Sequence, residues 1–254
     1  MDFLKKEQNI KVVHYPSTPQ IYIEPPANKY SLRGDALFLN SFLDKKSFST
    51  KIKKDKIFVT GNPKYDPLWI KKNYKTENTQ NKIVVAYVSK FDYEEEWYKK
   101  KLEKQLIDLV KILNKLNKSV IFKLHPLKNS KYYRVILSKY AKFKWYESKK
   151  NLIEITQNCL SLITHPYSAA GFDSLINSTP VLQLWPIIDR EFNVITSYEK
   201  LNLITKTKTI KDFEKKIQLL VKKKKNKLNN SKIDKYYPPT KNTIKRILNL
   251  LNTI

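Results

Sequence analysis

From about residue 82 onward, short runs of β-branched residues alternate with longer stretches of helical period. Few architectures satisfy that alternation other than βαβ units closing a parallel sheet. Ile83 to Val88 reads as a first strand, and Glu94 to Asn117 follows with Leu102, Leu106, Leu109, Val110 and Leu113 at helical spacing. Ser119 to Leu124 is a second strand, Ser130 to Tyr140 a second helix and Lys142 to Tyr146 a short third strand. Leu152 to Asn158 reads as a brief helix, and Cys159 to Thr164 as a nearly all-apolar strand, the composition of a strand covered on both faces. A helix from Ser168 to Asn177, a strand from Pro180 to Leu184 and helices at Ile210 to Lys223 and Lys241 to Leu251 complete the pattern. The polar stretch Asn226 to Thr240, with Pro238-Pro239, separates the last two.

The first 70 residues differ. Strand-like pieces at Lys11 to His14, Gln20 to Glu24, Ala36 to Asn40 and Lys56 to Thr60 are punctuated by prolines, and read as a partial lobe. The expected organisation is therefore a partial N-terminal lobe and connection over residues 1–70, an α/β domain over 71–237 and a terminal helix over 238–254. No internal repeat or coiled-coil heptad run interrupts it.

At 254 residues and 41% hydrophobic, the chain can bury a substantial core without staples. Its single cysteine, Cys159, sits in an apolar run and reads as a small buried hydrophobe. Without a disulfide framework or a CxxC pair, a reducing compartment is expected and a thiolate zinc site is not. The first residues carry no apolar h-region, and no stretch approaches the roughly 18 apolar residues of a membrane span. A cytoplasmic protein, at most peripheral at the inner face of the plasma membrane, is the expectation. The formal charge of +27 would point to a polyanion, yet only four of the 50 basic residues are arginine (Arg33, Arg134, Arg190 and Arg246). Abundant lysine, asparagine and isoleucine beside three glycines fit an AT-rich coding bias. The other reading is a basic face for anionic lipid, with Lys222 to Lys225 as its densest run.

Three segments concentrate chemistry, each where a strand hands over to a turn or helix, which is where parallel sheets bind ligands. Gly61-Asn62-Pro63-Lys64-Tyr65-Asp66 follows the strand Ile57 to Thr60; its glycine can take positive φ and its proline fixes the exit. A plain turn between lobes would look the same. Lys123-Leu124-His125-Pro126 ends the second strand and aims the His125 imidazole at the ligand crevice, where it can donate to a phosphate or act as an acid. His165-Pro166-Tyr167-Ser168-Ala169-Ala170-Gly171-Phe172-Asp173 leaves the buried strand and opens a helix. Small residues such as Ser168, Ala169 and Ala170 expose backbone N–H groups to a diphosphate, and Asp173 can accept from ribose hydroxyls. Ser168 serves equally as a helix cap.

On these residues the sequence resembles the C-terminal half of GT-B enzymes of surface-glycan synthesis. The likeness is to CDP-glycerol glycerophosphotransferases, bacterial sialyltransferases with an HP motif and capsule-synthesis proteins, and more distantly to UDP-N-acetylglucosamine 2-epimerase. The matching pieces are Gly61 to Asp66, Lys123 to Pro126, His165 to Asp173, and Ser178-Thr179-Pro180-Val181. The resemblance implies a Rossmann-like domain with a parallel sheet flanked by helices plus part of an N-terminal lobe. It also implies that His125 is catalytic, that Lys123, His165, Ser168, Ala169, Ala170 and Asp173 surround the donor phosphates and nucleotide, and that Gly61, Asn62, Pro63 and Asp66 form the interdomain donor loop. The implied partners are a nucleotide-activated sugar or CDP-glycerol donor and a glycan or lipid-linked acceptor, with no cofactor, no metal and no specific nucleic acid. Two departures stand out: Ser178-Thr179 replaces the glycine usual before the PV strand, and Ala169 replaces a second serine. About 60 residues precede the shared region, too few for the acceptor lobe, so a truncated gene product, a fragment or one half of a split enzyme is expected. The rival readings are a sugar-nucleotide epimerase and a lysine-rich module for RNA or anionic membrane. Sparse arginine and the absence of RRM, KH or helix-turn-helix signatures count against the last.

Overall fold

The computed structural model describes residues 11–15, 34–42, 44, 52–75, 78–87, 96–123, 131–166, 168, 170–188, 202–222 and 242–254. The chain divides into two compact units. One comprises Met1–Tyr74, Ile195–Ser197 and Asn230–Ile254; the other comprises Lys75–Val194 and Tyr198–Asn229.

The second unit carries a five-stranded parallel sheet. Its strands are β4 (Ile83–Ala86), β5 (Val120–Lys123), β6 (Trp145–Ser148), β7 (Ser161–Thr164) and β8 (Val181–Gln183). They lie in the order β6-β5-β4-β7-β8, so the chain starts in the middle, winds outward one way and then reverses. Ile83, Val85, Val120, Phe122, Ile163 and Leu182 point to one face, where they meet α2 (Glu96–Asn114), α3 (Lys131–Tyr140) and α6 (Ile210–Lys222) in a single apolar cluster. The helical spacing of α2 is what makes this possible: Leu102, Leu106, Leu109 and Leu113 are all fully buried along one stripe. Burying each such leucine contributes roughly 1.5–3 kcal/mol. The other face takes two short helices, α4 (Leu152–Thr156) and α5 (Ala170–Ile176). Asn151 and Glu154 form a capping box that starts α4.

Ends shifted where side chains intervene. The third strand begins at Trp145 and not at Lys142, because Asn114 holds the preceding corner: its Nδ2 donates to the Tyr140 carbonyl and its Oδ1 accepts from Lys142 N. Beyond β8, the segment around Thr205 runs parallel to it, with Gln183 N donating to the Thr205 carbonyl at 2.9 Å and Thr205 N to the Val181 carbonyl at 2.9 Å. That segment covers a sheet edge.

The first unit has a three-stranded parallel sheet of β1 (Val13–His14), β2 (Ala36–Leu39) and β3 (Ile57–Val59), close to three of the expected strand-like pieces. The piece at Gln20 to Glu24 lies outside the described residues. A helix that the sequence reading passed over, α1 (Pro67–Asn73), follows a 3-10 turn at Pro63–Tyr65, and α7 (Thr243–Leu251) belongs to the same unit. Among the described residues, no helix is long and apolar enough to cross a membrane.

Candidate functional site

In a parallel sheet whose strand order reverses, the helices on either side of the reversal lie on opposite faces and leave a crevice at the carboxyl ends of the two central strands. Here those strands are β4 and β7, and the residues that follow them meet. Tyr87 and His165 are edge-on, with ring centroids 4.5 Å apart and planes at 61°. Both are buried, Tyr87 at 1% and His165 at 7% exposure. Tyr87 is itself bracketed: its hydroxyl donates to the Leu102 carbonyl at 2.8 Å and lies 3.2 Å from Gln105 Oε1. Gln105 Nε2 donates to the Trp185 carbonyl at 2.6 Å, which ties the chain after β8 to α2. Tyr133 on α3 makes a second edge contact with Tyr87 at 5.6 Å. The histidine therefore rests on a ring whose position is fixed by two helices.

Downstream of His165, the chain turns into α5. Ser168 N donates to the His165 carbonyl at 3.4 Å, and Ser168 Oγ accepts from Ala170 N at 3.3 Å, so Ser168 acts as a cap at the helix start. Asp173 sits in the first turn of α5 and is buried. The end of this helix is a Schellman motif, with Thr179 N donating to the Ser174 carbonyl and Ser178 N to the Leu175 carbonyl. Ser178 takes the left-handed conformation there, φ 58°, which accounts for the glycine common at this position in the resembling families. Lys123 ends β5, two strands from β7, and burial lowers its ammonium pKa below the ordinary lysine value. His125 and Ala169 lie outside the described residues. Among the described residues, no group of three or more His, Cys, Asp or Glu side chains is placed to hold a metal ion.

No family model matches the sequence, and no curated protein matches it. Solved structures do. The wall teichoic acid polymerase TagF aligns with a TM-score of 0.60 at 15% identity, over 99% of this chain and 70% of that one. The UDP-GlcNAc 2-epimerase of Methanocaldococcus jannaschii, in complex with UDP-GlcNAc and UDP, aligns at 0.53 and 17% identity, over 87% of this chain and 61% of that one. A putative UDP-N-acetylglucosamine 2-epimerase from Listeria monocytogenes aligns at 0.54 and 15% identity, over 84% and 57%. The fold is shared. This chain spans about three fifths of the length of the epimerases it matches.

In the first unit, the Gly61 to Asp66 segment is built by local hydrogen bonds. Gly61 has φ 83°, a conformation that favours glycine, and its carbonyl accepts from the Tyr15 hydroxyl at 2.7 Å. Burial, with Asp44 nearby, pushes the Tyr15 phenol above its ordinary pKa. Asn62 Oδ1 accepts from Lys64 N at 3.0 Å and caps the 3-10 turn that Pro63 opens. Asp66 is 1% exposed and caps two helices: Oδ1 accepts from Leu68 N of α1 and Oδ2 from Thr243 N of α7, both at 2.9 Å. Arg246 on α7 donates through its Nη2 to the Thr60 carbonyl at 2.9 Å.

Sequence reasoning named His165, Ser168 and Asp173 but missed Tyr87 and Gln105. Tyr87 fell within the expected first strand, and only the pairing of strands far apart in sequence brings it to His165.

Proposed function

We propose that this chain is the nucleotide-binding part of a metal-independent transferase that moves a sugar or glycerol phosphate from a nucleotide donor onto a surface glycan or its lipid-linked precursor. The observation that carries the reading is the Tyr87–His165 pair at the reversal of the strand order, where sheets of this kind take nucleotides. The likeness in fold to TagF and to an epimerase holding UDP-GlcNAc and UDP supports it. In such a transfer an acceptor oxygen attacks the anomeric carbon of a sugar, or the phosphorus that carries glycerol, and the bonding electrons leave with the nucleotide. The negative charge that grows on the leaving phosphate is what the protein must stabilise. His165 and Ser168, with His125 and Lys123 from the sequence motif, are assigned to that phosphate; Asp173 is assigned to the ribose and Gly61 to Asp66 to the donor loop. A cytoplasmic location with peripheral contact at an anionic membrane fits an acceptor carried on lipid.

Calorimetry of the full chain with CMP, CDP, UMP, UDP and ADP at two salt concentrations tests this. Saturable binding of one pyrimidine nucleotide that survives the higher salt is expected. Weak binding to every nucleotide that salt abolishes would replace the reading with that of a basic polyanion-binding module. The epimerase likeness in fold favours a second reading, interconversion of a UDP-sugar, which predicts turnover of UDP-GlcNAc with no acceptor present.

A further inference from the structure

At the carboxyl edge of the five-stranded sheet, one register row crosses every strand: Ser148, Lys123, Ala86, Thr164 and Gln183 are successive Cα partners. Partners in a parallel ladder share a face, so these five side chains emerge on the face that carries α4 and α5. Two residues earlier on that face the row is Tyr146, Ile121, Val84, Leu162 and Val181, and four of those five are aliphatic. Polarity arrives at the last step before the crevice. Thr164 and Gln183 are adjacent in it, at 2% and 3% exposure, and neither Thr164 Oγ1 nor Gln183 Oε1 has a hydrogen-bond partner.

Their backbones are tied to their neighbours. The Thr164 carbonyl accepts from Leu184 N at 2.8 Å, Gln183 N donates to the Thr205 carbonyl at 2.9 Å, and the Gln183 carbonyl accepts from the Thr207 hydroxyl at 2.9 Å. Thr164 Oγ1 and Gln183 Oε1 are left to make new bonds. Two unmade hydrogen bonds on neighbouring strands, about 4.8 Å apart, impose a desolvation penalty that an apolar pair would avoid. Such a penalty, kept at the ligand end of a sheet and nowhere else along the row's strands, signals a partner that arrives with function. The first turn of α5 borders the spot: a Cβ on Gly171 would stand 3.7 Å from Val181 Cγ1, two residues before Gln183 on the same face.

We propose that Thr164 and Gln183 form a subsite for a neutral, hydrogen-bond-donating group of the bound nucleotide. The inference rests on the nucleotide-binding reading above and adds to it which part of the nucleotide these strands read. The unpaired atom of Gln183 is its carboxamide oxygen, which only accepts and so calls for an O–H or N–H that a fully ionised phosphate lacks, while the Thr164 hydroxyl can donate or accept. A ribose hydroxyl and the amino or imide N–H of a pyrimidine share that chemistry. Because neither atom touches bulk solvent, Gln183 turns about its flexible side chain to meet the group, while Thr164, stiff at χ1, stays in place.

The test uses the full chain and the variants Thr164→Val and Gln183→Met, with CDP, UDP, their 2′-deoxy analogues and inorganic pyrophosphate as probes. Each variant is expected to be at least as resistant to urea as the wild type, since an unpaired buried polar group has been removed, and to bind CDP or UDP at least tenfold more weakly. Pyrophosphate affinity is expected to stay unchanged. If the group is the ribose 2′-hydroxyl, the 2′-deoxy nucleotide binds wild type and variants alike; if it is the 3′-hydroxyl or the base, the deoxy nucleotide shows the same tenfold loss. Folded variants that keep wild-type nucleotide affinity overturn the subsite and leave the nucleotide-binding reading standing. An equal loss of pyrophosphate affinity also overturns it. A wild-type chain that binds none of the nucleotides overturns both.

Discussion

The carboxylate of Asp66 accepts the backbone N–H of Thr243 at 2.9 Å, across 177 residues of sequence, while its other oxygen holds Leu68 N. One buried side chain thus starts both α1 and α7, and the first unit is closed through it. The last residue of the Gly61 to Asp66 segment is in this structure a double helix cap.

Asp66→Ala should therefore destabilise the first unit by about 1–3 kcal/mol, the sum of two lost caps, one of them buried. Amide exchange at Leu68 and Thr243 should quicken together. Unchanged exchange at Thr243 would show that the two helices are not coupled through this carboxylate.

Much of the second unit was legible because a buried parallel strand must be apolar throughout and a covering helix must carry its stripe. Ile83 to Ala86 and the leucines of α2 state both requirements in plain sequence. Helix α1 was legible in principle, since Asp66-Pro67 places a capping residue before a proline at the first helical position. The aromatic and lysine residues that follow hid its period. The contacts that define the candidate site were not legible. Tyr87 with His165, and Thr164 with Gln183, are joined by strand register, which is set by how β4, β7 and β8 pair and leaves no trace in local spacing.

Tyr87 separates anchoring from ring contact. Tyr87→Phe keeps the edge contact with His165 and loses only the hydroxyl, so it should lower stability by about 0.5–1.5 kcal/mol and leave nucleotide affinity near wild type. Tyr87→Leu removes the ring that supports His165 and should lower both. Urea denaturation with calorimetry reads the two effects; equal affinities for the Phe and Leu variants would show that His165 does not depend on the ring.

Ser178 is a left-handed serine at the end of α5, where a side chain disfavours the conformation by roughly 1–2 kcal/mol. Ser178→Gly relieves that strain but loosens the unfolded chain, so a net gain of up to about 1 kcal/mol is expected. The measurement is the shift in urea midpoint; a loss of stability would mean that the serine hydroxyl contributes more than the strain removes.

Cys159 follows α4 and donates to the Thr156 carbonyl at 3.6 Å. Burial pushes its thiol up to about 12 from an ordinary 9.0, against smaller opposing effects from hydrogen bonds. A raised folded value means that the protonated thiol is favoured by folding. Its contribution to stability is fully present below the unfolded value of 9.0 and is lost as pH rises from there toward about 12. At neutral pH the native thiol should resist iodoacetamide, because the thiolate is the nucleophile and neither it nor access is provided, while concentrated guanidinium should expose it to full labelling. Cys159→Ala removes the titrating group, so its urea midpoint should fall less steeply than that of the wild type between about pH 8 and about pH 10. Parallel midpoints over that range would mean that the folded thiol ionises as easily as the unfolded one, and rapid native labelling would mean that the α4–α5 packing around it opens readily.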